Sequence, residues 1–110
     1  MIDWSRANEL RDEVGEDAFL EVADIFLEEV DEVIARLKAE IVVDQFRDDM
    51  HFLKGSALNL GFSDFAEQCQ IGETAGPALA TDQLFAEKLF ESYEESKIAF
   101  LATIKSEAAA

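Results

Sequence analysis

The chain contains a single histidine, His51, in a segment whose apolar residues recur at helical spacing. On a helix of about 100° per residue these apolar residues form one stripe, and His51 lies roughly 140° from its centre. The spacing therefore predicts an imidazole that faces solvent, where it is a candidate nucleophile or general acid–base. The stripe consists of Phe46, Met50, Leu53, Ala57 and Leu60.

Two neighbours on the same predicted helix add to this chemistry. Lys54, at i+3 from His51, brings an ammonium group beside the ring, and Gly55, at i+4, leaves the adjoining surface without a side chain. Glycine inside a helix costs about 1 kcal/mol relative to alanine. A partner that must approach His51 closely would justify that cost.

Helices must position these residues. The chain has one proline, five glycines and no alternating strand pattern, and almost every segment is amphipathic at helical spacing. We therefore predict an all-α fold, an antiparallel four-helix bundle with an additional short N-terminal helix. With 110 residues, the chain has the size of one ordinary domain, so we expect residues 1–110 to form a single domain.

Capping residues and apolar spacing predict the helix bounds and the inward faces. The first predicted helix begins after the N-cap Asp3 and ends at Gly15, the second covers about 17–39, and the third covers about 44–60 and ends before Gly61. The fourth begins at the N-cap Ser63 and ends near 74–77, and the last covers 82 to about 105 after the N-cap Thr81. Outside the stripe of His51's helix, the predicted inward residues are Trp4, Ala7, Leu10, Val14, Phe19, Leu20, Ala23, Phe26, Leu27, Val30, Val33, Ile34, Leu37, Phe65, Cys69, Gly72, Ala86, Leu89, Tyr93, Phe100 and Ile104.

Charge and cysteine content exclude several classes of function. Nine Lys and Arg residues against 25 Asp and Glu give a formal charge of −16, which repels nucleic-acid phosphates and anionic membranes. The single cysteine, Cys69, excludes an internal disulfide and a cysteine-rich zinc site, and its position on the inward stripe favours a small core residue. Without a bilayer-spanning stretch or a signal-peptide pattern, the protein is expected to be cytoplasmic.

The segment from 51 to 73 resembles the signature of histidine-containing phosphotransfer (HPt) domains. That signature is His-x-Leu-Lys-Gly-Ser, a Leu-Gly pair and, one helix later, a cysteine and an acidic or amide residue. The helical layout from Phe19 to Ile104 resembles the family more loosely. The matching residues of the signature are His51, Leu53, Lys54, Gly55, Ser56, Leu60, Gly61, Cys69 and Glu73.

The resemblance implies a carrier that accepts a phosphoryl group from the phospho-aspartate of one receiver domain and passes it to the aspartate of another. By this resemblance, the far ring nitrogen of His51 is the phosphoryl acceptor, and Lys54 lies against the phosphoryl oxygens. Glu73 occupies the position whose side chain accepts a hydrogen bond from the near ring nitrogen, Nδ1. Gly55 would leave room for the receiver's acidic pocket, and we interpret Ser56 as support for helix packing. No cofactor, metal or autonomous kinase activity is implied.

The expected partners are response-regulator receiver domains and a sensor histidine kinase, which includes the hybrid kinases, and the expected state is a monomer. Arg47, one turn before His51, is a candidate docking residue because it would add positive charge near the ring. Ile25 and Leu58 are candidates for an apolar docking patch. From 55 to 87 the chain has no Lys or Arg, so the basic surface often seen near the family's histidine is thin.

Other classes of function stay open at this point. A non-catalytic interaction module would present the apolar patch to a partner helix or domain, with His51 incidental. Asp48-x-x-His51 has the spacing of a di-iron ligand pair, but such sites need two such elements pointing inward. A kinase or hydrolase has no support, since the sequence lacks a phosphate-binding glycine loop and a Ser/His/Asp set.

Overall fold

The computed structural model describes residues 2–109, and its regular structure is helical. That range contains six α-helices, one 3-10 turn and no strand, so the all-α fold expected from the sequence is confirmed. No helix in this range is both long and apolar enough to cross a membrane. In chain order the elements are α1 (Trp4–Val14), α2 (Glu16–Ala39), the 3-10 turn (Val43–Gln45), α3 (Phe46–Leu60), α4 (Ser63–Ala75), α5 (Pro77–Ala80) and α6 (Gln83–Ala109).

The helices α2, α3, α4 and α6 are the four long elements, and α1 is the short N-terminal helix. The most extensive packing is between α3 and α4, while α4 also packs on α6 and α1 packs on both α2 and α3. The sequence does not predict the short helix α5. Its first residue is Pro77, whose fixed φ and missing N–H suit the start of a helix, so the proline begins a new turn there.

The capping predictions are confirmed at Asp3, Gly15 and Gly61 and are corrected at two other sites. Asp3 caps α1, with its carboxylate accepting a hydrogen bond from the Arg6 N–H at 3.2 Å. Ser63, predicted as the N-cap of α4, is instead its first residue, and Phe62 occupies the cap position. The reason is that the Phe62 N–H still closes the end of α3 on the Ala57 carbonyl, at 2.8 Å.

The start of α6 is shifted by one residue from the prediction. Asp82, rather than Thr81, caps the helix, because its carboxylate accepts a hydrogen bond from the Phe85 N–H at 2.9 Å. Thr81 ends α5 instead. Phe85, four residues before the buried Leu89, is also buried, whereas Ala86, the expected inward residue, is only partly buried. Phe85 packs edge-on against Phe46 at 6.1 Å between ring centroids.

Two smaller expectations are also corrected. The α-helical part of the third helix begins at Phe46, because 43–45 forms the 3-10 turn. Leu20 is 43% exposed, since the neighbouring Phe19 takes the inward position on α2 and is fully buried. The buried stripe of α2 is accordingly narrower than the sequence suggests, with Phe26 and Val33 only partly covered.

The core is a single apolar cluster that runs through α1, α2, α3, α4 and α6. Cys69 is fully buried in it, and burial raises the pKa of its thiol, which agrees with its interpretation as a core residue. The Tyr93 hydroxyl donates a hydrogen bond to the Asp31 carboxylate at 2.6 Å, and Lys97 contacts the same carboxylate at 2.8 Å. These contacts fix α6 against α2.

The turn between α3 and α4 is held by Gly61. Its φ is +80°, a left-handed conformation that favours glycine, and a Cβ there would overlap the Asp3 carbonyl oxygen. The Asp3 N–H donates a hydrogen bond to the Gly61 carbonyl at 2.6 Å, which ties the start of the chain to this turn. The turn sets α3 and α4 antiparallel, and the candidate site lies on their shared surface.

Candidate functional site

His51 lies in α3 with its side chain 71% exposed, whereas the neighbouring Met50 and Leu53 are fully buried. The outward orientation follows from the helical phase. Met50 and Leu53 belong to the apolar stripe that packs into the core, so the residue next to Met50 points away from it. The imidazole is thus open to approach from outside the bundle.

A glycine brings α4 close to α3 beside this ring. Gly72 of α4 is buried, and a Cβ built on it would lie 2.8 Å from Met50 Sδ and 2.8 Å from Phe85 Cζ. Only glycine therefore allows the present distance between the two helices without rearrangement. Because Met50 precedes His51 and Gly72 precedes Glu73, the same close approach brings these two polar side chains together.

The carboxylate of Glu73 holds one nitrogen of the imidazole. Its Oε2 lies 2.8 Å from His51 Nδ1, and the Glu73 side chain is 21% exposed. An ionised carboxylate only accepts hydrogen bonds, so Nδ1 must be the nitrogen that carries the hydrogen. In the neutral ring the lone pair is then on Nε2, the nitrogen available to a partner.

Lys54 completes a compact polar cluster with the same carboxylate. Its Nζ lies 2.5 Å from Glu73 Oε1 and also donates a hydrogen bond to Gln70 Oε1 at 3.0 Å. Gln70 in turn donates from Nε2 to the Thr74 hydroxyl at 2.8 Å, which fixes the orientation of its amide. The hydrogen bonds from Lys54 and then from His51 hold the pKa of Glu73 below its usual range.

Gly55 and Ser56 lie in the same part of α3 but face different surroundings. Gly55 is exposed, has no positive φ, and a Cβ built on it meets no heavy atom within 4 Å. Nothing inside the described molecule therefore requires a glycine there. Ser56 is buried, which agrees with a role in helix packing.

The candidate docking residues are spread over more than one surface. Leu58 is 51% exposed and lines an open groove of about 280 Å³ between α3 and α4, which begins at Lys54. Ile25 is 50% exposed on α2 and does not line this groove. The Arg47 guanidinium lies against Gly76, at the end of α4.

Sequence reasoning did not identify Gln70 and Thr74 as part of the cluster. Glu73 and Thr74 follow Gln70 at i+3 and i+4, the spacings that bring side chains together on a helix, and this spacing was a usable signal. The sequence analysis also assigned Gly72 only to the inward stripe of its helix, because a close contact between two helices cannot be recognised from one helix alone. Among the residues that the structure describes, no three His, Cys, Asp or Glu side chains are grouped closely enough to hold a metal ion.

Comparison with known protein families gives a match over most of the chain. Residues 21–106, most of the chain, match the family model described as Hpt domain. The matched range contains α3, α4 and every member of the His51 cluster. No curated protein and no solved structure matches the chain.

Proposed function

Since this chain belongs to the Hpt domain family, we propose that it carries a phosphoryl group on Nε2 of His51 between the aspartates of receiver domains. Hpt domains take part in histidine phosphotransfer within two-component phosphorelays. The observation that carries the proposal is the 2.8 Å contact between Glu73 Oε2 and His51 Nδ1. It leaves the opposite ring nitrogen with a lone pair on an exposed side chain.

In the proposed transfer, the Nε2 lone pair attacks the phosphorus of an aspartyl phosphate. The Nε2–P bond forms as the bond from phosphorus to the aspartate oxygen breaks, and the aspartate leaves as a carboxylate. The attack makes the ring positively charged while Nδ1 keeps its hydrogen. The Glu73 carboxylate, already in contact with Nδ1, stabilises that charge and holds the ring in orientation.

Lys54 is proposed to contact the phosphoryl oxygens. An ammonium group has three N–H donors, and those of Lys54 serve Glu73 and Gln70, which leaves one for a phosphoryl oxygen. A phosphoryl group adds up to about two negative charges, and a cation beside it offsets part of their repulsion. At this solvent-exposed site the contact is worth about 1 kcal/mol.

Gly55 is proposed to make room for the docked receiver. A Cβ built on Gly55 would meet no side chain or backbone of another element within 4 Å, so the glycine leaves a surface onto which another protein can close. Leu58 would extend this contact along the groove, whereas Ile25 on α2 would belong to a separate contact. Ser56 supports the helix packing beneath.

The partners follow from this role. We infer that the protein exchanges phosphoryl groups with response-regulator receiver domains and that a sensor or hybrid histidine kinase supplies them. The protein acts as a monomeric cytoplasmic carrier in this proposal, with no kinase activity of its own. Its surface supplies the nucleophile and a docking face, and the receiver supplies the remaining catalytic groups.

The test is phosphoryl transfer from a phosphorylated receiver domain to the purified chain. The expected product is an acid-labile, base-stable phosphoryl adduct on the wild-type protein and none on H51Q. Binding of H51Q to the receiver should persist, because the docking surface is intact. Equal labelling of both proteins, or tight binding with no transfer from any receiver, would contradict the carrier role and favour a non-catalytic interaction module.

A further inference from the structure

Arg47 differs from the other arginines of the chain in having no carboxylate partner among the described residues. Each of the others forms an ion pair of 2.7 or 2.8 Å. Arg47 is exposed and lies one helical turn before His51 on α3. Its charge is therefore not used to hold the described fold together. The pairs of the other arginines are Arg6–Glu9, Arg11–Glu107 and Arg36–Asp49.

The fold nevertheless gives this side chain a defined position. Gly76, the residue after α4, has a φ of +62°, which favours glycine, and the three atoms nearest to a Cβ built on it all belong to the Arg47 guanidinium. Two of them, Cζ and Nε, lie 3.0 and 3.1 Å from that Cβ position. The guanidinium thus rests on a surface that only a glycine leaves open.

This position sets Arg47 beside the phosphoryl site. In the antiparallel pair of α3 and α4, His51 contacts Glu73, Lys54 contacts Gln70, and Arg47 contacts Gly76. Arg47 and Lys54 therefore flank His51 on opposite sides along α3, at about 6 Å and 4.5 Å of helix rise. The charge of Lys54 is already matched by Glu73 at 2.5 Å, whereas the charge of Arg47 is unmatched.

We propose that Arg47 is the residue that recognises the acidic phosphorylation pocket of the receiver domain as it docks over His51. This inference rests on the proposed function. A receiver that brings carboxylates and a phosphoryl group to a chain of formal charge −16 meets repulsion, which an unpaired cation at the site opposes. A guanidinium also presents several fixed N–H donors that match the oxygens of the receiver's carboxylates.

The first measurement is the kcat/KM of phosphoryl transfer between the protein and the receiver that reacts fastest in a panel of purified receiver domains. R47Q keeps part of the side-chain length and loses the charge, so we expect kcat/KM to fall about two- to fivefold at low salt. R47K should recover part of the loss. The difference between wild type and R47Q should shrink as salt is raised, because an attraction between exposed charges is screened.

Two controls separate docking from other effects. Phosphoramidate, a small donor without an acidic pocket, should label His51 equally in wild type and R47Q. Lys105, an exposed cation near the far end of α6, provides a matched loss of charge, and K105Q should transfer at the wild-type rate. These controls test whether position, rather than net charge, is responsible.

The outcomes are distinct. Equal transfer by R47Q and wild type at low salt, an equal loss in K105Q, or a parallel loss of phosphoramidate labelling would each overturn the recognition role. An effect that does not change with salt would overturn it as well. Absence of transfer from the wild-type protein to every receiver would instead refute the proposed function, and this inference with it.

Discussion

Replacing Gly55 by alanine should make the protein more stable and a poorer carrier. A Cβ at this position meets no heavy atom within 4 Å, so the added methyl group causes no overpacking in the isolated protein. Alanine favours an exposed helical position over glycine by about 0.5–1 kcal/mol. For a domain of this size the melting temperature should therefore rise by about 2–8 °C.

Transfer should change in the opposite direction. If the receiver closes over Gly55, the methyl group overpacks the docked interface, and overpacking a tight contact costs about 1–3 kcal/mol. This corresponds to a loss of about 5- to 150-fold in kcat/KM for transfer from a phosphorylated receiver. Labelling of His51 by phosphoramidate should be unaffected, because a small donor does not cover the helix.

The assay combines thermal unfolding by circular dichroism with transfer kinetics on the same preparations. A more stable G55A protein with an undiminished transfer rate would refute the reasoning, because the glycine would then have no role in docking. A destabilised G55A protein would contradict the structure itself, since it would mean that the Cβ position is occupied. S56A is a useful comparison, because Ser56 is buried and its loss should act on stability first.

Three further predictions concern the cluster and the core. G72A should lower the free energy of unfolding by about 1–2 kcal/mol, because the added Cβ would lie 2.8 Å from core atoms. The same change should weaken the contact between Glu73 and His51, and ¹⁵N NMR of the His51 ring should show a loss of the Nδ1–H tautomer. An unchanged tautomer would show that the packing of Gly72 does not hold Glu73 against His51. Wild type should be more stable than E73Q above about pH 4.5, and this difference in the free energy of unfolding should vanish as the pH falls, because the pKa of Glu73 is lowered in the folded state. Urea titrations at a series of pH values measure the difference. A difference that persists at low pH would contradict the prediction. Cys69 should resist iodoacetamide in the native protein and react on unfolding, because burial raises the pKa of its thiol, and rapid native labelling would refute its burial.

Much of the fold could be predicted from the sequence, because helical spacing is a local property. The pattern from Phe46 to Leu60 fixed both the existence of α3 and the outward orientation of His51, since a side chain's direction on a helix depends only on its phase relative to the apolar stripe. The same reasoning identified Cys69 as a core residue. Errors arose at ends, where Asp82 rather than Thr81 caps α6, because neighbouring polar residues can each serve as a cap.

The candidate site was only partly predictable, because its contacts join residues on different helices. The sequence by itself determined that an imidazole, an ammonium group and a bare helix surface at Gly55 share one face of α3. Only the tertiary structure decided that Glu73 reaches Nδ1 at 2.8 Å and that Arg47 rests on Gly76. Those contacts depend on the distance between α3 and α4, which is set by how Gly72 packs against Met50. The spacing of residues along a single helix does not determine the distance between two helices.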